Sequence, residues 1–316
     1  MTEAPKIAVI TGPTATGKTA LGVMLAKELG GEIVSADSMQ VYRRMDIGTA
    51  KVTKEEMQGV PHHMLDVAEP SESYSVARYV AEADACVQDI LIRGKLPIIV
   101  GGTGLYIDSL VAGRDFDESS SDEAIRRELE EKYSSMGGEA LLAQLAELDP
   151  ERALKLYPSD KNRILRALEV FYTTGRTITE HDELTRKIPL RYDAAVIALS
   201  FKDRATLYER IDRRAEGMIE AGLFDEVRSI LASGVPEKCT AMQAIGYKEA
   251  FQAIRGEISE NEAVELIKRE SRRYAKRQLT WLRRREGLCW ILWEDAPNYN
   301  IGRQISTEFL NTRGLK

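Results

Sequence analysis

Residues 6–29 read KIAVITGPTATGKTALGVMLAKEL. The apolar run from Lys6 to Ile10 predicts a short strand. A helix is expected from about Thr19 to Leu29, closed by Gly30-Gly31. Between them Gly12-x4-Gly17-Lys18-Thr19 matches the phosphate-loop pattern. Gly12, Pro13, Thr14, Ala15, Thr16, Gly17, Lys18 and Thr19 then form a cradle. Its glycines let backbone N–H groups converge on an anion, and the new helix presents its positive end. Lys18 adds a point charge, and the Thr19 hydroxyl suits Mg²⁺. The pattern identifies phosphates without saying whose they are.

Glu32 to Ala36 is a second short strand that ends at Asp37. A stretch with little periodicity, carrying Gly48, Gly59, Pro61 and Pro70, runs to about Ser73. A helix is expected over Val76 to Arg93. LPIIVGGTGLY (96–106) then reads as a buried strand, a glycine-rich turn and a helix start. Strand alternating with helix predicts an α/β fold, a P-loop core with a parallel sheet flanked by helices. From about Asp117 the pattern turns helical through 175, with a helix start at Ser121-Asp122-Glu123. A strand returns in YDAAVIALSF (192–201), and long helices follow. The core is therefore expected over 1–116 and 191–316, interrupted by a helical insertion domain over 117–190.

Bulk properties narrow the class. The chain has 316 residues, 43% hydrophobic and 30% charged, which suits a folded protein with a sizeable core. Cys86, Cys239 and Cys289 are too few and scattered for a disulfide framework or a zinc cluster, so a reducing, cytoplasmic setting is expected. No leader pattern opens the chain, and no apolar stretch approaches the roughly 20 residues of a membrane span. His62-His63 lacks a third ligand at metal spacing. Trp281, Trp290 and Trp293 are expected in the core.

The phosphate loop lacks its usual hydrolase companion, an apolar strand ending in an acid that holds Mg²⁺. Leu96 to Val100 runs into Gly101-Gly102-Thr103-Gly104, and Ala194 to Ser200 has no terminal carboxylate. Asp37 is the strand-terminal acid near the loop. In a parallel sheet it stands at the carboxyl edge, as a metal partner or a general base.

At this point the chain resembles the tRNA dimethylallyltransferases, also called tRNA isopentenyltransferases. The matching pieces are GPTATGKT (12–19), DSMQVYRRMDIGTAK (37–51), GVPHHMLD (59–66), IIVGGTGLY (98–106), NRILRALEV (162–170), LYERIDRRAEGMIEAGLFDEV (207–227), AIGYKE (244–249) and YAKRQLTWLRR (274–284). They follow the family's order over nearly the whole chain. Eukaryotic members carry a C-terminal zinc finger, and none is seen before Lys316, so the bacterial type is expected. The resemblance implies transfer of a five-carbon allyl group from dimethylallyl pyrophosphate to N6 of the adenosine beside the tRNA anticodon. The loop then holds a pyrophosphate leaving group, with Mg²⁺ at Thr19, and the protein acts as a monomer. Two readings compete with it: a P-loop small-molecule kinase, and a non-catalytic RNA-binding module.

The resemblance also assigns roles. Asp37 is the general base for the N6 proton, and Thr103 a second contact at the reacting centre. Arg210 and Arg214, at i and i+4 on one helix face, clamp the pyrophosphate. Ser38, Met39 and Gln40 follow the base, and glutamine suits the edge of an extruded adenine. RNA contacts are expected from Arg126, Lys161, Asn162, Arg163 and Arg166 in the insertion. Others are expected from Gln243, Gly246 and Lys248, and from Lys276, Arg277, Gln278 and Arg283, with the anticodon stem-loop as partner. The net charge of −6 argues mildly against nucleic acid. Residues 262–285, however, hold nine Lys/Arg against three Glu, a segregation that fits phosphate binding.

Overall fold

Strands buried on both faces of a parallel sheet read as unbroken apolar runs, and this chain supplies them. A computed structural model describes residues 4–114, 122–186 and 188–315. Among the described residues six strands form one sheet: β1 (Lys6–Thr11), β2 (Glu32–Ser35), β3 (His62–His63), β4 (Pro97–Gly101), β5 (Asp193–Phe201) and β6 (Cys289–Trp293). Their order is β3-β2-β4-β1-β5-β6, and every pairing is parallel. Ile7, Ala8, Val9 and Ile10 at the centre are fully buried, as are Ile98, Ile99 and Ile197 beside them. The α/β parallel-sheet expectation is met.

Register decides where function can lie. Thr11 of β1 is paired with Gly101 of β4, and Ser35 of β2 with Val100. The three strands therefore end together at one edge. The phosphate loop, Asp37 and the Gly102–Thr103 turn all leave the sheet there.

Helices cover both faces. Leu21 and Leu25 of helix Lys18–Glu28, Leu207 and Ile211 of helix Arg204–Glu220, and Leu310 of helix Tyr299–Thr312 share a core with β1, β4, β5 and β6. Helix Val76–Ile92 buries Tyr79, Val80, Ala83, Val87 and Ile90, and packs on β2, β4 and helix Gly104–Ala112. No helix among the described residues is long and apolar enough to cross a membrane.

The aperiodic stretch from 38 to 73 is ordered. Val41, Tyr42 and Met45 are fully buried anchors. Thr53 and Glu56 form a reciprocal capping box on the short helix Lys54–Met57, and His62–His63 adds an edge strand to β2. The His62 ring bonds the Val60 carbonyl and the His63 ring bonds Glu32, each at 2.8 Å. Two elements near the C-terminus, β6 and helix Tyr299–Thr312, extend the sheet and its cover beyond the basic helix. Trp293 is in the core, 3% exposed, whereas Trp281 and Trp290 are only half-buried.

The chain divides into two compact units, one of Met1–Gly113 with Arg191–Lys316 and one of Arg114–Leu190. The expected boundary at 117 and the Ser121 helix start lie outside the described residues. Asp122 caps helix Glu123–Met136 through the N–H groups of Ala124 and Ile125. Leu129, Leu141, Leu145, Leu156, Ile164, Leu165 and Leu168 give the helical unit a core of its own.

Candidate active site

The phosphate loop is built by strain that only certain residues tolerate. Gly17 sits at φ 84°, directly before helix Lys18–Glu28, and Ala15 takes φ 64°. A side chain on Gly12 would put its Cβ 2.3 Å from the Leu199 carbonyl oxygen of β5, so no other residue fits. Thr16 is fully buried, and its hydroxyl donates to the Pro13 carbonyl at 2.8 Å. The Trp293 indole donates to the Thr16 carbonyl at 2.9 Å. The Tyr299 hydroxyl would lie 2.7 Å from a Cβ on Gly17. The C-terminal strand and helix thus back the loop, which the sequence pattern did not reveal. Thr19 is exposed on the first helical turn.

Lys18 is half-buried, and its amine donates to the Pro13 carbonyl at 2.7 Å. Burial and then the Arg214 guanidinium lower its pKa to about 7, opposed by the charge of Asp37. Loop amine and carboxylate are therefore within electrostatic reach of each other. Burial also holds Arg214 below its ordinary value, again against Asp37. Arg210 and Arg214 both turn inward, away from surface pairing. Arg210 donates to the Ala15 carbonyl at 3.2 Å, and Arg214 to the Thr49 carbonyl at 3.4 Å. The Arg214 Nε is buried without a partner. Glu209 and Glu216 pair with Arg213 and Lys268 instead.

Asp37 follows β2 and folds back on its own backbone. Its Oδ1 accepts the N–H groups of Met39 at 2.9 Å and Gln40 at 3.3 Å, the geometry of an Asx turn. The other oxygen accepts no hydrogen bond from the described residues. Thr103 stands beside it: its hydroxyl accepts the Ser38 N–H at 3.0 Å, and its own N–H donates to the Ala36 carbonyl at 3.0 Å. Gly101 allows this approach, since a Cβ there would lie 2.2 Å from the Ala36 oxygen. Tyr274, which pattern reading did not single out, also reaches this cluster. Burial and the Asp37 charge push its hydroxyl up to about 12, while hydrogen bonding with Thr103 and Gln278 works the other way.

The phosphate loop and the Asp37 carboxylate thus leave the sheet at one edge. An IPP transferase family model matches residues 40–285, and an isopentenyl transferase model matches residues 5–73. A tRNA dimethylallyltransferase of Caldanaerobacter subterraneus subsp. tengcongensis is 48% identical over 96% of this chain and 97% of its own length. One from Geobacillus thermodenitrificans is 48% identical over 95% and 94%.

The chain belongs to the tRNA dimethylallyltransferase family.

Solved structures agree. A tRNA isopentenylpyrophosphate transferase from Bacillus halodurans aligns with TM-score 0.70 at 41% identity, covering 98% of this chain and 99% of that one. A eukaryotic dimethylallyltransferase acting on tRNA aligns with TM-score 0.81 at 30% identity, covering 99% and 81%. The kinase reading that the loop alone left open gains no support from these matches.

Among the family-type RNA candidates, some face solvent and some do not. Lys276, Arg277 and Arg283 are exposed on or just after helix Glu260–Leu282, and Lys276 and Arg283 have no carboxylate partner among the described residues. Gln243 and Lys248 are also exposed, whereas Gly246 is buried at φ 98° and starts helix Tyr247–Ile254. In the helical unit Arg163 and Asn162 are exposed, Arg126 bonds Asn162 at 3.2 Å, Arg166 pairs with Glu169 at 3.2 Å, and Lys161 lies over the Tyr133 ring.

Two expectations need correction. Gln278 is 6% exposed and turned inward, its amide bonded to the protein backbone at both ends, so it is not displayed to RNA. The Gln40 amide donates to the Thr49 and Ala50 carbonyls at 3.3 and 3.4 Å, which ties it to its own loop. That loop has a further anchor. Glu226 accepts the N–H groups of Asp46, Ile47 and Gly48 at 2.9, 2.8 and 3.2 Å. The only hint of it was that Glu226 is the next-to-last residue of a family-like motif.

Proposed function

We propose that this protein transfers the dimethylallyl group of dimethylallyl pyrophosphate to N6 of the adenosine next to the anticodon of tRNA, releasing pyrophosphate. The observation that carries the reading is Asp37. A carboxylate with one oxygen unclaimed stands at the sheet edge where the phosphate loop begins, close enough to bias the Lys18 amine.

The adenine amine is a poor nucleophile, because its lone pair is delocalised into the ring. Help is needed at both ends of the reaction. At the leaving end the allylic C–O bond breaks and its electron pair goes to the pyrophosphate. Loop N–H groups, Lys18, Arg210 and Arg214 face that growing charge, and preorganised donors cost no reorganisation as it develops. The Arg214 Nε, buried and unpartnered, is a donor in waiting. At the attacking end the N6–C bond forms, and Asp37 takes the amine proton on its free oxygen. Thr103 and the Asx turn hold the carboxylate in place. The Thr19 hydroxyl is a hard oxygen donor that would hold Mg²⁺ together with diphosphate oxygens. Such an ion supplies charge neutralisation at the leaving group. Exposed Lys276, Arg277 and Arg283, with Lys248, Gln243 and the Arg163 region of the helical unit, supply contacts for the anticodon stem-loop.

Incubation with tRNA, Mg²⁺ and labelled dimethylallyl pyrophosphate tests the reading. Label is expected in the RNA. ATP-dependent phosphorylation of a small metabolite, with none in RNA, would make the protein a kinase; tRNA binding without turnover would make it a binding module.

A further inference from the structure

Gln278 lies on the same helix as the exposed Lys276 and Arg277, but on its inner side. Its Oε1 accepts the Thr14 N–H of the phosphate loop at 3.3 Å. Its Nε2 donates to the Gly102 carbonyl, in the turn that carries Thr103, at 2.9 Å. Thr14 follows β1 and Gly102 follows β4, strands whose last paired residues are Thr11 and Gly101. One side-chain amide thus continues the β1–β4 ladder past its end, where backbone pairing has stopped. Space is left for it: a Cβ on Gly102 would sit 2.2 Å from Nε2, so a side chain there would have to push this amide aside.

We infer that Gln278 is a positioning residue that sets the distance between the phosphate loop and the Thr103 turn, and ties both to the basic helix. The inference rests on the transfer reading and deepens it. The leaving group is held by one turn; Thr103 belongs to the other, and its hydroxyl accepts the N–H of Ser38, the residue next to the base. Bond breaking at the loop and bond making at Asp37 must fall on one line. A misplacement of about 1 Å between such partners costs on the order of a hundredfold in rate. Nothing else among the described hydrogen bonds joins Thr14 to Gly102. The amide serves as both acceptor and donor, which glutamine can do and a carboxylate or thioether of the same length cannot.

The test compares wild type with Gln278→Met and Gln278→Glu. Readouts are thermal melting, tRNA affinity by filter binding, pyrophosphate affinity by calorimetry, and transfer kinetics at saturating tRNA and donor. Gln278→Met keeps the volume and removes both hydrogen bonds. Its kcat is expected to fall at least about tenfold, with tRNA affinity within about twofold of wild type. Gln278→Glu keeps an acceptor for Thr14 but loses the donor to Gly102. It also sets a negative charge beside the diphosphate, so its donor KM is expected to rise as well. Should Gln278→Met fail to fold, Gln278→Glu decides by the kcat and tRNA readouts. A tRNA affinity loss with unchanged kcat would make Gln278 an RNA contact and overturn the inference, as would no change in either. Wild type without transfer activity removes the underlying reading; an active wild type with an unimpaired Gln278→Met removes this inference alone.

Discussion

Glu32 and Asp37 stand at the two ends of β2, five residues apart, and they have opposite fates. Glu32 is 2% exposed and saturated with hydrogen-bond partners. Lys95 reaches it at 2.7 Å, Arg93 and His63 at 2.8 Å. Hydrogen bonding from Arg93, and less from Lys95 and His63, holds its carboxyl well below the usual range against the cost of burial. Asp37 is half-buried, anchored by two backbone N–H groups on one oxygen, and keeps the other for a partner from outside. An acid whose every lone pair is matched builds structure. An acid held firmly by one side and left open on the other can exchange a proton. The direction of a parallel strand makes this division, because loops at carboxyl ends gather and loops at amino ends need only close the fold.

The largest expected effect breaks the functional end. Asp37→Asn keeps the acceptor for Met39 and Gln40 but removes the base. Single-turnover transfer on bound tRNA should slow by about 10²–10⁴-fold, while melting temperature and tRNA affinity hold. A loss of affinity with normal turnover would move the base elsewhere.

Glu32→Gln should do the reverse. Stability in urea is expected to drop by about 3 kcal/mol, since Arg93 and Lys95 lose a buried charged partner, with transfer kinetics per folded molecule intact. The sign follows from the depressed carboxyl: its contribution is full above the unfolded value near pH 4.3 and is lost as pH falls toward the folded one. The gap between variant and wild type should therefore close only in acid. A gap that persists there would mean packing, not charge, is lost.

Lys18 is a cation at the open end of the sheet without a carboxylate bound to it. With its pKa lowered to about 7, chiefly by burial, the amine is charged below pH 7 and neutral above. A bound diphosphate favours the charged form, so binding above pH 7 must recover a proton. Pyrophosphate affinity is expected to weaken by up to about tenfold per pH unit there, relative to Lys18→Ala, with proton uptake seen by calorimetry in two buffers. Equal pH slopes in the two proteins would show that the amine does not meet the phosphate.

The smallest effect concerns RNA grip. Toward the start and middle of the basic helix Lys268 pairs with Glu216, and Arg272 with Asp212 at 2.5 Å. At its end Lys276 and Arg283 are exposed. Gln at both of these should lower the salt slope of tRNA binding by about one to two, while Arg272→Gln leaves it unchanged. The opposite ranking would place the RNA on the paired half.

Residue order alone carried the phosphate loop, the parallel sheet, the helical unit and the family resemblance. These are local features: an apolar run, a glycine where φ must be positive, a change of period from two to 3.6. Asp37 and Thr103 were legible as ends of strands, since parallel topology sends such ends to one edge. Partner choice was not legible. A basic residue at 272 and one at 276 look alike until Asp212 is seen to face only the first. Gln278 reads as one polar residue in a charged run, yet it bridges turns 264 and 176 positions away. The backing of Gly17 by Tyr299 and of Thr16 by Trp293 depends on β6, whose short apolar run CWILW periodicity cannot assign to strand or helix. Contacts between distant segments are set by how the sheet orders its strands and turns its helices, and no short window of residues contains that order.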